Sequence, residues 1–288
     1  MKTRETTKEK CVRLRKQDKT LTEIMKKTGL PKTTIWYHIS NIPLTPKKKK
    51  EVAEYTINNL QEGAKNYLTK HRKKQSKEFQ RFTEWTPSMV FLVSHLMFDG
   101  EIMKKKCVYT NGSEVLVNRV QEHLGKICSR RPHVLHRRGL ITIRYGNSVL
   151  ADFLYQKSKE LVGNIDNLPP ELQRAFLRSF FDDEGCISYE ISRKERRVRG
   201  YQQDLEILYL IQKLLRNFGI ESVIREKSGE IVVSRRENLI RFREQINFSP
   251  GVYINGLRKN SVHKKSLEKR KLLDMAIDSY QQEHRRFF

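Results

Sequence analysis

Two stretches of this chain share a pattern that leaves little freedom in how it can fold. Leu92 to Gly100 reads Leu-Val-Ser-His-Leu-Met-Phe-Asp-Gly, and Leu177 to Gly185 reads Leu-Arg-Ser-Phe-Phe-Asp-Asp-Glu-Gly. Each is an apolar helical segment that stops at an acid followed by glycine. The flanks of such a helix can bury against a partner, but its terminal carboxylate cannot go dry unpaired. An acid at each helix foot must therefore face water, a cation or a metal. Two copies in one chain imply a two-fold design.

Composition narrows the partner. The 288 residues suggest about two domains. Lysine and arginine number 58 against 33 acidic residues, a formal net charge of +25. An excess of that size repels itself in a compact state and calls for a polyanion, of which nucleic acid is the commonest inside a cell. An anionic membrane is the bland alternative, yet no apolar run approaches the ~20 residues of a spanning helix. The first residues also lack the apolar region of a signal peptide, so the expected location is the cytoplasm. Cys11, Cys107, Cys128 and Cys186 form no CxxC pair, which argues against a disulfide framework or a zinc ribbon. Cys128 with His133 and His136 matches no standard zinc spacing, and buried thiols are the default reading.

In chain order, Lys8 to Asn41 has the pattern of a small helical unit. Cys11, Val12 and Leu14 mark one apolar face, and Thr20 to Gly29 offers a short helix capped by Thr20 or Thr22 and closed by Gly29. Thr33 to Ser40 resumes with Ile35, Trp36 and Ile39 at helical spacing. The arrangement resembles the helix-turn-helix of many prokaryotic regulators. That resemblance implies a second helix lying in a major groove, led by Lys32, Thr33 and Thr34, with Tyr37 and His38 behind. Pro43 and Pro46 are read as ending the unit, and a long basic helix follows to about Arg81.

From Thr86 onward the text reads helix, two strands, helix, two strands, helix, and from Leu168 the same order returns. This is an internal repeat of roughly eighty residues, too long and too few in copies for a solenoid. The expected architecture is α+β: a pseudo-two-fold pair of αββαββα units, preceded by a small all-α domain and a helical linker. The expected boundaries are 1–45 for the helix-turn-helix, 46–85 for the linker, 86–166 and 167–260 for the two halves, and 261–288 for a basic C-terminal helix.

The doubled order and the two acid-glycine endings resemble the LAGLIDADG, or dodecapeptide (DOD-type), homing endonucleases in their single-chain, two-motif form. Leu168 to Ser188 carries most of the resemblance, lying close to that family's second motif over some twenty positions. The resemblance implies two motif helices packed on the pseudo-two-fold axis, each presenting its last acid to a divalent metal, magnesium being expected, near a scissile phosphate. The matching acids are Asp99 and Glu184. It also implies a polar residue at the end of each second strand to hold the nucleophilic water, which by position is Asn111 and Gln203. A lysine after the last helix of the C-terminal half is implied as well, either Lys264 or Lys265. The strands are expected to form a saddle along duplex DNA, with candidate contacts at Lys104, Lys106, Tyr109, Tyr189, Arg193, Arg197, Arg199 and Gln202.

The first copy departs from the family pattern, with His95 and the bulky Phe98 where small residues are preferred and Met97 where the second copy has Asp182. Phe98 is expected to push the two feet apart, and Asp182 and Asp183 read as solvated helix-end acids. Three functions are compatible with this reading: a magnesium-dependent, site-specific double-strand DNA endonuclease acting as a monomer, a DNA-binding regulator that has kept the fold without the chemistry, and an intron maturase that binds RNA.

Overall fold

The computed structural model describes residues 5–254, 263 and 265–284. The chain divides into two compact units, Met1–His71 and Arg72–Phe288. The first contains α1 (Thr7–Lys16), α2 (Leu21–Thr28) and α3 (Lys32–Ile39), and it enters α4 (Pro46–Ser76). Thr6 and Thr20 each form a reciprocal capping box, with Glu9 and Glu23, and Gly29 closes α2 in the left-handed conformation at φ 71°. A small core of Cys11, Leu14, Ile24, Ile35 and Ile39 holds the three short helices together. Ile35 and Ile39, one turn apart, supply the buried stripe of α3, which turns the intervening Trp36 outward to 60% exposure. Helical spacing alone groups Trp36 with those apolar positions, but it lies off their stripe. Pro46 opens α4 rather than ending the unit before it, because the first turn of a helix needs no N–H from that residue.

The second unit carries the repeat. Its first half runs α5 (Pro87–Phe98), β1 (Gly100–Met103), β2 (Lys106–Asn111), α6 (Glu114–Ile127), β3 (His133–Arg137), β4 (Leu140–Tyr145) and α7 (Ser148–Asn164). Its second half runs α8 (Pro170–Glu184), β5 (Gly185–Glu190), β6 (Glu195–Tyr201), α9 (Leu205–Asn217), β7 (Val223–Arg225), β8 (Glu230–Ser234) and α10 (Arg236–Gln245). Each half forms one four-stranded antiparallel sheet, ordered β1-β2-β4-β3 and β5-β6-β8-β7. One face of each sheet packs on the helices and the other is open, as the alternating burial of β6 shows directly.

A single apolar core runs through both halves and includes α11 (Lys269–His284). That helix does not behave as an appended basic tail. Leu272, Leu273, Ala276 and Ile277 give it an apolar stripe at i, i+1, i+4 and i+5, and all four are buried. Among the described residues no helix is long and apolar enough to cross a membrane.

α5 and α8 pack side by side along the middle of this unit. Small side chains allow the approach, since Ser94 and Ser179 are both fully buried on the two helices. Each helix then turns straight into a strand at its glycine. A Cβ on Gly100 would lie 2.6 Å from the Leu96 Cα, and one on Gly185 would lie 2.8 Å from the Phe181 Cα. No other residue fits that corner without moving the helix, and this is the steric reason both acids are followed by glycine.

Candidate functional site

The helix feet bring Asp99 and Glu184 to neighbouring ends of α5 and α8. Burial, and then the charge of Asp183, push the Asp99 carboxyl up to about 6. Burial, and then the charges of Asp99 and Asp183, push Glu184 up to about 7. The charge of Asp99 therefore reaches Glu184, despite Phe98 beside it. The Phe98 ring docks edge-on against Phe176 and Phe180 of α8, with centroids 5.5 and 5.3 Å away.

Strand β2 supplies the partners. Asn111 donates from Nδ2 to Asp99 Oδ2 at 2.6 Å and to the Tyr109 hydroxyl at 3.2 Å, while its Oδ1 accepts from the Ser113 N–H at 2.7 Å, which fixes the amide's orientation. Tyr109 donates to Asp183 Oδ1 at 2.7 Å, and His95 Nδ1 lies 2.7 Å from Asp183 Oδ2. A carboxylate only accepts, so that contact puts the imidazole proton on Nδ1. The side chains of His95 and Asp183 are fully buried. Burial and the neighbouring Asp183 raise the Tyr109 phenol far above its ordinary range, so it stays a donor.

Two expectations about acids are corrected here, since neither Asp182 nor Asp183 is solvated. Asp182 is buried and accepts from the Ser249 N–H at 2.8 Å, from the Ser249 hydroxyl, and from Arg119 Nη1 at 3.3 Å. A lysine that the sequence reading missed closes the site from the other side. Lys269, at the start of α11, is buried and donates to the carbonyls of Phe181 at 3.2 Å and Asp182 at 2.7 Å. Both carbonyls lie in the last turn of α8, where the Phe181 oxygen also accepts from the Gly185 N–H and where a cation suits the helix dipole. Burial lowers the lysine pKa, while Asp182 and Asp183 pull it back up. In a chain with so many lysines, nothing in the local sequence singles this one out. Lys264 lies outside the described residues, and Lys265 is exposed.

Register corrects several other expectations. Gly100 pairs with Tyr109, and Gly185 pairs with Gly200. Two residues further on stand Asn111 in the first half and Gln202 in the second. Gln202, not Gln203, is therefore the counterpart of Asn111, and its Oε1 accepts from the Gln203 N–H at 2.8 Å much as Asn111 accepts from Ser113. Tyr109 and Tyr189 fall on the helix side of their sheets, where Tyr109 is fully buried and Tyr189 packs on the core, so neither faces outward to read DNA.

The open face keeps Lys106, Arg197 and Arg199, with Lys104 and Arg193 exposed in the adjoining turns. Arg199 is not free, since its guanidinium meets the buried Glu230 and donates to Ser188 Oγ at 3.1 Å, while Arg225 meets the other Glu230 oxygen at 3.1 Å. Arg197 pairs with Glu195 at 2.7 Å and Arg193 with Glu190 at 3.5 Å. In the first unit, Lys32, Thr33 and Tyr37 are exposed, Tyr37 at 78%, while Thr34 and His38 are half-buried.

Two antiparallel sheets joined by a central pair of acid-footed helices define an α+β fold of pseudo-two-fold type. Residues 171–247 match the family model described as LAGLIDADG-like domain, in line with the resemblance that Leu168 to Ser188 carries. Among solved structures, the chain is similar to the homing endonuclease I-DmoI in complex with DNA and Mn, at 17% identity and a TM-score of 0.42, covering 56% of this chain and 96% of that one. It is also similar to full-length DUF199/WhiA from Thermatoga maritima, at 14% identity and a TM-score of 0.41, covering 72% and 70%. No curated protein sequence matches the chain.

Proposed function

We propose that the protein is a site-specific double-stranded DNA endonuclease whose helix feet, Asp99 and Glu184, each hold a divalent cation such as magnesium against a scissile phosphate. The observation that carries this reading is the crowding of the feet. Two half-buried carboxylates, with Asp183 beside them, are pushed up to about 6 and about 7, so holding both charges there is costly and a bound cation would offset that cost. Hard oxygen donors of this kind, one from each foot, suit an ion that takes its remaining ligands from phosphate and water. Among the described residues no group of three or more histidine, cysteine or acidic side chains could hold a metal by itself. When bound, such an ion would stabilise the charge that develops on the oxygens of a phosphodiester undergoing in-line displacement.

The chain's own residues supply position and charge. Asn111 holds the Asp99 carboxylate, and Gln202 occupies the matching place at the end of β6. Lys269 caps the carbonyls beneath Glu184 and offsets part of the negative charge of the seam. Lys104, Lys106 and Arg193 are placed to meet phosphates, and the residues 1–45 add a second DNA contact through Lys32, Thr33, Tyr37 and the exposed Trp36.

A second reading, a DNA-binding regulator that does not cut, is favoured by the altered first motif, in which Met97 and Phe98 precede Asp99 where Asp182 and Asp183 precede Glu184, and by the helix-turn-helix pattern ahead of it. The deciding experiment is magnesium-dependent cleavage of native-locus or randomised duplex DNA by the parent, Asp99→Asn and Glu184→Gln. Cleavage lost in both variants with binding kept is the expected outcome. Tight binding by all three without any cleavage leaves the regulator.

A further inference from the structure

The departures in the first motif are not scattered. His95 and Tyr109 on the first half and Asp183 on the second meet at one place, and their hydrogen bonds extend to the Asp99 foot and to the residue preceding Glu184. From Asp99 the chain runs through the Asn111 amide, the Tyr109 hydroxyl and the Asp183 carboxylate to His95, with no step longer than 3.2 Å. Asp183 is covalently next to Glu184, and Asp99 is the acceptor at the other end. Strand β2 of the first half therefore touches the support of both acids, whereas in the second half the place matching Tyr109 is Gly200, which offers no side chain at all.

Resting on the cation-holding reading above, we infer that Tyr109 is a positioning residue for both metal sites: its hydroxyl ties the Asp99 foot to the Asp183–Glu184 foot and fixes their relative placement. Several features require a defined geometry there. The Asn111 carbonyl is held by the Ser113 N–H, so its two amide hydrogens are committed to Asp99 and Tyr109. The Tyr109 ring is fully buried and has an edge-on contact with His95, with centroids 5.7 Å apart. Asp183 accepts from Tyr109 and from His95 on different oxygens, which sets the carboxylate plane and with it the backbone that leads into Glu184. Tyr109 need not touch the cation or the DNA to act in this way. Partners one step removed from metal ligands orient those ligands, and their loss commonly weakens metal binding by ~10-fold or more.

The test compares two buried substitutions at the same seam. Tyr109→Phe removes only the hydroxyl, while Phe98→Leu loosens the ring contacts with Phe176 and Phe180 without touching the hydrogen-bond chain. Each full-length variant is checked for cooperative unfolding, titrated with Mn2+ followed by its electron paramagnetic resonance signal, and crystallised. The expected result is that both lose some Tm, that Tyr109→Phe binds Mn2+ about tenfold more weakly, and that Phe98→Leu binds it like the parent. In the crystal, the Asp99 and Glu184 carboxylates of Tyr109→Phe should shift relative to each other.

Unchanged Mn2+ affinity with unmoved carboxylates overturns the role of Tyr109, as does an equal loss of affinity in Phe98→Leu. Parent protein that binds Mn2+ no better than Asp99→Asn and Glu184→Gln sinks the cation reading instead. The crystal structure then still decides on Tyr109, in its favour if the feet shift and against it if they stay. If Tyr109→Phe does not fold, Asp183→Asn weakens the same link at nearly constant shape and should lower Mn2+ affinity in the same direction.

Discussion

The α5–α8 seam is crossed twice by equivalent residues, and the two crossings are built from opposite materials. Counting from the terminal acids, Phe98 and Asp183 occupy the same position on their helices, as do His95 and Phe180. In one crossing a carboxylate from the second half enters a cradle formed by His95 and Tyr109. In the other, a phenyl ring from the first half lies on Phe176 and Phe180, and Gly200 clears the space behind Phe180. What looked in the sequence like decay of the first motif is half of an exchange, in which one contact has become polar and its twin apolar. A buried polar contact adds little net stability compared with well-packed apolar groups, but it is strict about geometry.

The comparison can be broken at several points. The largest effect is expected for Asp183→Leu, which leaves the buried Tyr109 hydroxyl and His95 Nδ1–H without an acceptor, at a cost of about 3–5 kcal/mol by denaturant unfolding. Adding His95→Leu and Tyr109→Phe should recover part of that loss, because an apolar crossing already works on the other side. If the triple variant is the least stable of the series, the equivalence of the two crossings is wrong.

A smaller loss, about 1–3 kcal/mol, is expected for Gly200→Ala, whose Cβ would come 2.5 Å from the Phe180 ring. Phe98→Leu should cost about 1 kcal/mol, the scale of lost edge-to-face contacts, and should leave the polar crossing intact in the crystal.

The smallest effect at neutral pH concerns His123, which stacks on Phe91 behind the polar crossing, with its Nδ1 unpartnered among the described residues. Burial holds it down at about 4. The unfolded chain therefore binds the proton more readily, and stability falls as pH drops from about 6.5 toward 4. His123→Leu should match the parent at pH 7 and flatten its acid limb. An acid limb of unchanged slope would remove His123 from the account.

How much of this was legible in the sequence depends on the kind of signal. The acid feet, their glycines and the order of elements follow from periodicity and from a corner that only glycine can turn, and both are local. The faces of the strands are not local. β2 is six residues long, and its register against Gly100 decides whether Tyr109 points at DNA or into the seam. Tyr189 was misplaced for the same reason, and Gln203 was preferred to Gln202 by one residue of loop. His95 is visible in the sequence only as a departure from a pattern and Asp183 only as a helix-end acid, because their meaning lies in a contact eighty-eight positions apart. Lys269 was hidden by abundance: its partners are backbone carbonyls, which leave no mark in a sequence.

The unlike crossings also govern which halves can associate. A second half paired with its own copy would press two Asp183 carboxylates against phenylalanine rings, and a first half paired with itself would leave two His95–Tyr109 cradles filled by Phe98. Either arrangement strands buried polar groups at several kcal/mol each. The seam thus discriminates between self and partner, so neither half can revert to a symmetric homodimer by simple duplication, and during synthesis the first half stays unpaired until the second emerges.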